Sequence, residues 1–442
     1  MGRSKETTAC RAERVCVIGL GYIGLPTAAS LATGGLTVVG TDINPGIVEQ
    51  VSRGVAPFEE PDLAVALTGA VAMGRLSAQS LSAQGEVPAA DAFIIAVPTP
   101  FTADRQPDLS HVFAATESLC GVLRGGEVIV LESTVPPGTT RRVSELIAAR
   151  RPDLRLPHET GAGAHDGADA RPRVHVAHCP ERVLPGRIMI EIATNDRVIG
   201  GLTPACGERA ARLYRTFCRG ALLLTDAASA EMAKLAENAF RDVNIAFANE
   251  LAAICDRLGL DVWEIRQMAN RHPRVEILRP GTGVGGHCIA VDPWFIIDAA
   301  PDLAALMRTA RAVNDARPGP LAGQIVAAAA AFSPPRVACL GLSFKPDVAD
   351  LRNSPAIAVV GHVAAALGDA EILVVEPHIA KLPSPLDEYD NVVLTSAEDA
   401  LTRADVVARL VDHGCFGHIT VPARAGQVSC RAATTPRAVR RS

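Results

Sequence analysis

The sequence predicts an α/β protein with two doubly wound, Rossmann-like domains joined by a central long-helix segment. Three observations support this prediction. Apolar strand patterns alternate with helix patterns near the N-terminus, one helical pattern covers some thirty residues in the middle, and the α/β alternation returns near residue 335. A chain of 442 residues is also longer than one ordinary domain. We therefore divide the chain at 1–204, 205–310 and 311–442.

The N-terminal domain begins with a short β-branched run, RVCVIGL at 14–20. GYIGLPTAASLATGG then reads as a helix, and LTVVGTDI reads as the second strand. DAFIIAVPTP, EVIVLEST and VHVAHCPERV are further apolar runs without polar alternation, which is typical of a parallel sheet covered by helices on both faces. The Gly-, Ala- and Asp-rich stretch 158–173 has no periodicity and predicts a flexible surface loop.

The middle and the end of the chain follow two other patterns. SAEMAKLAENAFRDVNIAFANELAAICDRLGL has apolar residues at helical spacing on more than one side, which is typical of an interdomain linker, a dimer interface, or both. From residue 335, RVACLGLSFKPD and the residues after it repeat the strand, turn, helix and strand of the N-terminus. This repeat predicts a second, degenerate nucleotide-binding half. The polar, basic stretch 421–442 is expected to be frayed.

Composition narrows the class of protein. Apolar residues make up 48% and charged residues 21%, and the net charge of -5 gives no reason to expect nucleic acid or a membrane as a partner. The N-terminus lacks an apolar export segment, and no apolar run is long enough to span a bilayer. The eleven cysteines form no C-x-x-C pair. Scattered thiols of this kind are typical of a reducing cytoplasm, which is the expected location.

A dinucleotide site is predicted at the end of the first strand. Gly19, Gly21 and Gly24 form G-x-G-x-x-G where the strand passes into a helix. In that context the first glycine permits the turn, the second lets the pyrophosphate approach, and the third packs helix on strand. Asp42 ends the second strand, where its carboxylate can accept hydrogen bonds from the adenosine ribose. An acid at this position favours NAD over NADP.

The corresponding turn of the C-terminal half reads GLSFKPD, with one glycine and Lys345. It cannot offer the same close backbone approach, and it offers a cation instead. A nucleoside diphosphate held partly by Lys345 fits this turn better than a second dinucleotide does. The alternative is an ordinary surface lysine. Its place at the carboxyl end of a strand, where open α/β sheets bind ligands, favours binding.

The stretch RPGTGVGGHCIAVDPWF, residues 279–295, presents Cys288 at the end of a glycine-rich loop. One interpretation is a small side chain buried in a tight turn. The other is a nucleophile beside a nicotinamide, where a thiolate captures an aldehyde as a thiohemiacetal that then loses a second hydride to give a thioester. The residues alone leave both interpretations open.

Seven motifs together resemble the UDP-glucose/GDP-mannose dehydrogenase family over about residues 14–412: GLGYIGLP, VPTP, ESTVPPGTT, CPERVLPG, AEMAKLAENAFRDVNIAFANE, GVGGHCIAVDPWF and GLSFKPDVADLRNSP. CPERVLPG and GGHCIAVDPWF are most similar to the members that oxidise UDP-N-acetyl-D-mannosamine to UDP-N-acetyl-D-mannosaminuronate in two NAD-dependent steps. The resemblance thus implies an NAD-binding domain at 1–204, a central substrate and dimerisation domain at 205–310, and a UDP-binding domain at 311–442. A homodimer through the central helix is also expected.

The resemblance implies catalytic roles residue by residue. Cys288 matches the nucleophile, and Glu181 matches the carboxylate that assists thioester hydrolysis. Lys234 matches a lysine to which we assign proton transfer from the alcohol, and Asn238 lies on the same helical face four residues later. Asp292 matches a residue that organises the water and the lysine. No metal is expected, because the thiol and the lysine supply the activation. The predicted catalytic residues are Cys288, Lys234, Glu181, Asn238 and Asp292.

The resemblance also implies two sets of binding residues. Those predicted to contact NAD are Gly19, Gly21, Tyr22, Ile23, Gly24, Asp42, Thr99, Thr134 and Arg352. Those predicted to contact the UDP-sugar are Arg182, Val183, Lys234, Asn238, Arg241, His272, Arg274, Gly285, Phe344 and Lys345. Two features depart from the family pattern. The stretch 158–173 is longer than expected, and Arg409 stands where the family usually continues an apolar strand.

Other functions stay open at this point. The same chemistry on UDP-N-acetylglucosamine or UDP-glucose differs by a hydrogen bond or two, which sequence cannot place. A two-electron hydroxyacid dehydrogenase of similar layout would release one NADH per substrate and would tolerate Cys288→Ala. An NAD-sensing regulator would bind NAD without turnover, and it would have no use for the cysteine loop.

Overall fold

The computed structural model describes residues 14–81, 87–102, 104–159, 170–420 and 426–429. The chain divides into two compact units, Met1–Ala236 and Glu237–Ser442. Residues 160–169 of the predicted surface loop lie outside the described residues. So do residues 421–425 and 430–442 of the stretch that we expected to be frayed. No helix in the described ranges has the length and apolarity needed to cross a membrane.

The first unit contains an eight-stranded sheet in the order β3-β2-β1-β4-β5-β6-β7-β8. Its strands are β1 Arg14–Ile18, β2 Thr37–Asp42, β3 Leu76–Ser80, β4 Ala92–Ile95, β5 Val128–Leu131, β6 His175–His178, β7 Arg197–Gly201 and β8 Leu222–Asp226. Every neighbouring pair is parallel except β6 with β7, which are antiparallel. The helices of this unit are α1 Gly24–Thr33, α2 Pro45–Ser52, α3 Leu63–Ala72, α4 Ser110–Cys120, α5 Thr139–Arg150, α6 Ile188–Thr194 and α7 Pro204–Tyr214.

Helices cover both faces of this sheet, as the unalternating apolar strands predicted. Val15 and Val17 of β1 belong to one core cluster, which includes buried residues of α1, α3 and α7. Cys16 and Ile18 point the other way, into a second cluster with buried residues of α4 and α5. Because side chains alternate across a strand, a strand buried on both faces must be apolar at every position. The doubly wound prediction is therefore confirmed.

The long helix α8, Ala227–Leu258, confirms the predicted central helix. It begins directly after β8, and the glycine that follows its last residue, Gly259, has φ +68°. A left-handed glycine at this position is a common helix terminator, because a side chain there would be strained. The sequence pattern had not indicated β8, which lies inside the stretch 205–310 that we interpreted as helical.

The second unit contains a five-stranded parallel sheet in the order β11-β10-β9-β12-β13. Its strands are β9 Arg336–Leu340, β10 Glu371–Val375, β11 Val392–Leu394, β12 Val406–Arg409 and β13 Gly426–Ser429. The helices are α9 Val262–Ala269, α10 Asp292–Ala299, α11 Ala305–Ala316, α12 Pro318–Ala329, α13 Pro355–Ala366 and α14 Ala397–Arg403. Three 3-10 turns complete the described structure at Pro157–Glu159, Leu386–Glu388 and Gly414–Phe416.

The two sheets share one strand order, since β11-β10-β9-β12-β13 follows the same sequence of crossovers as β3-β2-β1-β4-β5. Val337 and Cys339 of β9 face a cluster that includes α12 and α13, and Ala338 and Leu340 face the opposite side with α14. The predicted second nucleotide-binding half is confirmed as a fold. The expectation of a frayed end from residue 421 is wrong for Gly426–Ser429, which pairs in parallel with β12.

Candidate active site

The turn between β1 and α1 gives its three glycines different surroundings. Gly19 has φ +95°, and a Cβ there would lie 2.5 Å from the Ala96 carbonyl oxygen. A Cβ on Gly24 would lie 1.9 Å from the Gly19 carbonyl oxygen, so neither position accepts a side chain. Around Gly21, no described atom comes within 4 Å of a Cβ position. Its backbone is therefore open to a ligand, as the motif predicts for the glycine that faces a pyrophosphate.

Asp42 ends β2 at the same edge of the sheet. One carboxylate oxygen accepts the Leu20 N–H at 2.8 Å, and the other accepts the Asn44 N–H at 2.8 Å. The side chain is half-buried. These two bonds fix the carboxylate beside the glycine turn and leave lone pairs for further donors, such as the two hydroxyls of a ribose. The donor and acceptor set at this edge thus fits NAD.

The start of α1 is suited to an anion. Ile23 is its N-cap residue and makes no side-chain cap, and the first turn carries no acidic residue. The positive end of the helix dipole thus favours a phosphate at this turn, although the Leu25 and Thr27 N–H groups already donate to the Gly21 and Ile23 carbonyl oxygens and Pro26 has no N–H. Tyr22, which is 44% exposed, stacks on Phe58 with ring centroids 4.2 Å apart. Gly19, Gly21, Tyr22, Ile23 and Gly24 therefore all lie in the turn at the end of β1.

The strands next to β1 end at the same edge and bring two more predicted cofactor residues together. The Thr99 hydroxyl, after β4, donates to the Thr134 carbonyl oxygen, after β5, at 2.7 Å. Ser133, which the sequence analysis did not select, accepts the Val97 N–H at 2.9 Å and ties the same two strand ends together. Contact of these residues with NAD stays a prediction.

Glu181 follows β6 and lies opposite the first residue of β7, Arg197. The Arg197 Nη2 donates to one Glu181 oxygen at 2.6 Å, and the Arg182 N–H donates to the other at 2.7 Å. Both Glu181 and Arg197 are buried. The predicted hydrolytic carboxylate is thus held by a guanidinium that the sequence reasoning missed. The available signal was an arginine at the first position of an apolar strand, in DRVIGG.

Lys234 lies in the part of α8 that belongs to the first unit, and a buried carboxylate one turn earlier fixes the helix there. Glu231 accepts the Gly138 N–H at 2.5 Å, the Thr140 N–H at 2.7 Å and the Thr140 hydroxyl at 2.6 Å. Burial raises the pKa of Glu231 above its ordinary value, although these hydrogen bonds oppose the shift. Lys234 itself is half-buried. This anchoring limits the freedom of the helix turn that carries the lysine.

The glycine-rich loop of the second unit packs on the turn after β9. The Gly286 N–H donates to the Arg352 carbonyl oxygen at 2.9 Å, and the Asn353 side chain donates to the Gly286 carbonyl oxygen at 3.1 Å. A Cβ on Gly285 would lie 2.5 Å from the Asn353 carbonyl oxygen. At the end of this loop Cys288 is exposed. The interpretation of Cys288 as a buried turn residue is therefore wrong.

Two further predicted catalytic residues meet at this loop. The Asn238 amide donates to an Asp292 carboxylate oxygen at 2.5 Å. Asp292 is buried and is the first residue of α10, and its own N–H donates to the Cys288 carbonyl oxygen at 2.8 Å. One hydrogen-bonded chain thus connects α8, the start of α10 and the cysteine. The predicted residues Cys288, Asn238 and Asp292 are brought together, while their chemical roles stay predictions.

A pocket of about 140 Å³ lies at the carboxyl edge of the second sheet. Its lining includes Phe344 and Lys345, as the sequence predicted for a nucleotide site, and two further cations, Arg279 and Arg409. The Lys345 ammonium lies 5.9 Å from the centroid of the Phe344 ring. Arg409 ends β12 and pairs with Asp412 at 3.7 Å. Asp412 lines the same pocket, so the arginine that departs from the family pattern lies there as one member of an ion pair.

The other predicted substrate and cofactor residues are exposed or half-buried. Arg241 is exposed on α8, and His272 and Arg274 are exposed in the turn after α9, where the Arg274 N–H donates to His272 Nδ1 at 3.3 Å. Arg352 forms an ion pair with Asp350 at 2.5 Å. Val183 is half-buried just beyond Glu181.

Asp350 lies between Arg352 and the loop that carries Cys288. Burial would raise the pKa of Asp350, but the hydrogen bonds from Arg352 outweigh it, so the pKa lies below its usual value. The Asp350 carboxylate also lies 3.8 Å from His287 Nδ1. The residue before Cys288 therefore faces an acidic group.

A possible metal-ligand group, Asp347, His378 and His413, has its ligand atoms within 4.8 Å of one another. Both nitrogens of His413 already have protein partners, however. Nδ1 accepts the Asp347 N–H at 2.9 Å, and Nε2 lies 3.0 Å from the Glu376 carboxylate. A histidine that uses both nitrogens in this way has no lone pair to give to a metal. We therefore do not assign a metal to this group.

Glu376 also shows how the second half differs from the first. The Gly341 N–H donates to Val375 O as the Gly19 N–H donates to Thr41 O, both at 2.8 Å. Glu376, at the position equivalent to Asp42, accepts the Leu342 N–H at 2.7 Å. Unlike Asp42, it is buried and is also engaged with His413. Glu376 and Asp42 occupy equivalent places at the edges of the two sheets, but the Glu376 carboxylate is not open to a ribose.

The first unit therefore has the geometry of a dinucleotide-binding enzyme domain, and an accessible thiol in the second unit is suited to covalent chemistry. Together they define an NAD-dependent dehydrogenase. The chain matches the models of the UDP-glucose/GDP-mannose dehydrogenase family for the NAD binding domain at residues 13–218, the central domain at 228–316 and the UDP binding domain at 338–435. It belongs to that family.

Individual relatives are similar over nearly the whole chain. The NDP-N-acetyl-D-galactosaminuronic acid dehydrogenase of Ralstonia nicotianae is 54% identical over 403 residues, which covers 91% of each chain. The UDP-N-acetyl-D-mannosamine dehydrogenase of Yersinia pestis is 48% identical over 412 residues, which covers 91% of this chain and 94% of that protein. The structure of the UDP-N-acetyl-mannosamine dehydrogenase Cap5O from S. aureus matches with a TM-score of 0.79 at 37% identity, covering 94% of this chain and 92% of that one.

Proposed function

We propose that the protein oxidises the primary alcohol of UDP-N-acetyl-D-mannosamine to the carboxylate of UDP-N-acetyl-D-mannosaminuronate, with two equivalents of NAD and Cys288 as the covalent nucleophile. The observation that carries the proposal is the exposure of Cys288 at the end of a glycine-rich loop. By contrast, the other described cysteines except Cys415 are buried. A thiol that is to bond to an oxidised sugar must be reachable in this way.

The chain's own residues divide the chemistry among them. Bound NAD, held along the edge that contains Gly21 and Asp42, supplies the hydride acceptor for both oxidations. In this proposal Lys234 takes the proton from the alcohol. The Cys288 thiolate adds to the aldehyde carbon to give a thiohemiacetal, whose oxidation gives a thioester. Asn238, fixed by Asp292 at 2.5 Å, donates to the oxygen that becomes negative.

The acid is released by water. The water oxygen adds to the thioester carbon, the carbon–sulfur bond breaks, and the sulfur leaves as the Cys288 thiolate. We assign the water proton to Glu181, whose two oxygens are fixed by Arg197 and by the Arg182 N–H. A carboxylate held at two points is well placed to orient one water molecule, and this favours its assignment as the base.

The UDP moiety is assigned to the second unit. Phe344, Lys345, Arg279 and Arg409 line a pocket there, and a diphosphate calls for several cations rather than one. The match of residues 338–435 to the UDP binding domain model supports the same assignment. Arg241, His272, Arg274 and Gly285 stay in the proposal as substrate contacts on the strength of the sequence resemblance.

The relatives are named for two different sugars. A relative named for UDP-N-acetyl-D-mannosamine is 48% identical, and one named for NDP-N-acetyl-D-galactosaminuronic acid is 54% identical. UDP-N-acetyl-D-galactosamine is therefore the second candidate. UDP-N-acetylglucosamine and UDP-glucose, which the sequence left open, complete the set. These sugars differ in the group at C2, in its direction, or in the direction of the C4 hydroxyl, so hydrogen bonds in the pocket decide among them.

The test is the yield of NADH per mole of each of the four UDP-sugars, with the purified parent and the Cys288→Ser variant side by side. We expect about two NADH per sugar from the parent on the preferred substrate, and no completed turnover from the variant. One NADH per substrate with an active Cys288→Ala variant would indicate a two-electron dehydrogenase instead. Binding of NAD without turnover of any sugar would indicate a regulator.

Dimerisation and location are further parts of this proposal. α8 carries an apolar stripe, defined by Phe240, Phe247, Ile254 and Leu258, with exposed fractions of 69%, 56%, 47% and 63%. We propose that a second copy of this chain covers the α8 stripe. Apolar residues spaced by seven and four lie on one face of a helix, and two such faces can pack against each other. A cytoplasmic location is proposed because the mechanism needs Cys288 as a reduced thiol.

A further inference from the structure

A buried group of charges lies behind Glu181 in the first unit, and the proposed function does not use most of it. Arg197 contacts two carboxylates with two different nitrogens. Its Nη2 lies 2.6 Å from Glu181, and its Nη1 lies 3.4 Å from Glu132. The side chains of Arg197, Glu132 and Glu181 are 4%, 0% and 8% exposed. One guanidinium thus pairs with two carboxylates in a buried place, where water screens their charges only weakly.

Glu132 has partners of its own on two helices. Its Oε2 accepts the Thr27 hydroxyl of α1 at 3.0 Å, and its Oε1 accepts the Tyr214 hydroxyl of α7 at 3.3 Å. The Arg197 guanidinium also lies 4.9 Å from the centroid of the Tyr214 ring. Besides Arg197 and Glu181, the titratable groups that face Glu132 are Tyr214 and Cys179. Burial raises the pKa of Cys179 to about 12 and that of Tyr214 well above its ordinary value, so both stay neutral.

The charge balance of the group depends on one proton. With both carboxylates ionised the group carries a net negative charge, and with one protonated it is neutral. The proton belongs on Glu132, because Glu181 has the shorter contact to Arg197 and a backbone donor. Burial, together with the nearby Glu181 charge, raises the pKa of Glu132 to about 7, although Arg197 and the hydroxyl groups of Thr27 and Tyr214 oppose the shift. Glu132 therefore changes its charge near neutral pH.

We propose that Arg197 and Glu132 are positioning residues for Glu181, and that ionisation of Glu132 makes Glu181 a stronger base in thioester hydrolysis. When Glu132 is protonated, the charge of Arg197 acts on Glu181 alone and stabilises the ionised Glu181 carboxylate. When Glu132 is ionised, it shares Arg197 and repels the Glu181 charge, so Glu181 takes a proton from water more readily. This inference rests on the proposed role of Glu181.

The test follows the covalent adduct at Cys288 through a single turnover. Enzyme, excess NAD and UDP-N-acetyl-D-mannosamine, or whichever of the four UDP-sugars gives turnover, are mixed and quenched in acid. The reaction is run at pH values from 5.5 to 8.5, and the adduct in each quenched sample is measured by intact mass. In the parent we expect adduct decay to accelerate with pH around a midpoint near 7. Glu132→Gln keeps the side-chain shape but not the charge. We expect its adduct to decay about ten-fold more slowly at pH 8, without that midpoint and with KM unchanged.

The matched control is Glu127→Gln. Glu127 is also buried, but it precedes β5 at the end opposite Glu132, where it accepts the Arg124 and Gly125 N–H groups at 2.7 and 2.8 Å. Its adduct should decay as in the parent. If Glu132→Gln fails to fold, Tyr214→Phe provides the second test. Loss of the hydroxyl that stabilises ionised Glu132 should move the midpoint to higher pH, and an unmoved midpoint would overturn the inference.

Glu181→Gln separates this inference from the proposed function. Slow decay in Glu181→Gln together with parent-like decay and midpoint in Glu132→Gln would overturn the inference alone. Parent-like decay in Glu181→Gln would remove the base assignment and the inference with it. If the parent forms no adduct at Cys288 with any of the sugars, the proposed function fails first, and the inference fails with it.

Discussion

At the scale of single residues, the glycine turn separates a structural requirement from a ligand requirement. A Cβ on Gly24 would lie 1.9 Å from the Gly19 carbonyl oxygen, whereas no described atom lies within 4 Å of a Cβ on Gly21. We expect Gly24→Ala to lower the free energy of unfolding by about 3 kcal/mol. Gly21→Ala should keep the parent's stability and weaken NAD binding about ten-fold or more, because the methyl group occupies the space for the pyrophosphate. Urea unfolding and NAD titration measure the two effects.

The difference between the two variants tests whether Gly24 has a structural role and Gly21 a ligand-binding role. Equal losses of stability in both would mean that Gly21 is also packed. Unchanged NAD affinity in Gly21→Ala would place the pyrophosphate elsewhere.

Thiol chemistry gives a second residue-scale prediction. Burial raises the pKa of Cys16 and Cys179 to about 12 and of Cys120 to about 11, so these thiols are poor nucleophiles near neutral pH. Among the described cysteines, Cys288 and Cys415 are the exposed ones. Among the cysteines that the structure describes, iodoacetamide should therefore label Cys288 and Cys415 first, as peptide mapping by mass spectrometry will show.

NAD with the UDP-sugar should slow labelling at Cys288 but not at Cys415, which serves as the internal control. Labelling of Cys179 as fast as that of Cys288 would contradict the burial pattern. So would equal protection of both exposed thiols.

Sequence could predict some site residues and not others, for a physical reason. The glycine turn and Asp42 are separated by one helix, so their approach follows from a local pattern of strand, turn and helix. Glu132 and Arg197 meet only because β7 is antiparallel to β6 and brings its first residue opposite Glu181. Nothing within a short window of sequence records that pairing.

At the scale of elements, α8 carries the feature with the clearest consequence. The α8 stripe presents Phe240, Phe247, Ile254 and Leu258 to the surface. Large apolar side chains in a row cost free energy when exposed to water, at about 25 cal/mol for each Å². A second copy that covers the stripe removes that cost on both helices.

We therefore expect Phe247→Glu to shift the protein from the proposed dimer to a monomer, because it would bury a charge in the proposed interface. Sedimentation velocity measures the change. Leu303→Glu is the matched control, since Leu303 is 81% exposed but lies outside the stripe. The stripe would not be the interface if Phe247→Glu stayed dimeric, or if Leu303→Glu dissociated equally.

Strand β8 shows why some elements escape sequence patterns. Its five residues, LLLTD, are mostly exposed, and α8 begins at the next residue. A short apolar run joined directly to a helical pattern reads equally well as the start of that helix. Only its parallel pairing with β7 makes it a strand.

At the scale of the whole molecule, buried histidines contribute to the loss of stability in acid. Burial lowers the pKa of His178 to about 3, and burial with Arg209 nearby lowers that of His175 to about 4. An unfolded histidine titrates near 6.5. The stability from keeping them neutral is therefore present above pH 6.5 and is lost as the pH falls. Each histidine costs about 1 kcal/mol per pH unit in that range. Glu132, whose pKa is raised, acts in the opposite sense. Its contribution to the free energy of unfolding is lost as the pH rises from about 4.5 to 7.

Urea unfolding at pH 7.5 and at pH 5.5 tests this balance. We expect His178→Gln to lose less free energy of unfolding between the two pH values than the parent does, by about 1 kcal/mol. His111→Gln, with an exposed side chain, should behave as the parent does. Identical losses in the parent and His178→Gln would contradict this account of acid instability.

The sequence by itself determined the two α/β domains, the long helix between them, the cofactor edge around Gly19 and Asp42, and the family, because each depends on periodicity or on residues close together in the chain. Only the tertiary structure decided that Cys288 is exposed, that Asn238 reaches Asp292, and that Arg197 holds Glu181 against Glu132. Those relations join residues far apart in sequence. They depend on strand direction and helix packing, which a linear pattern does not specify.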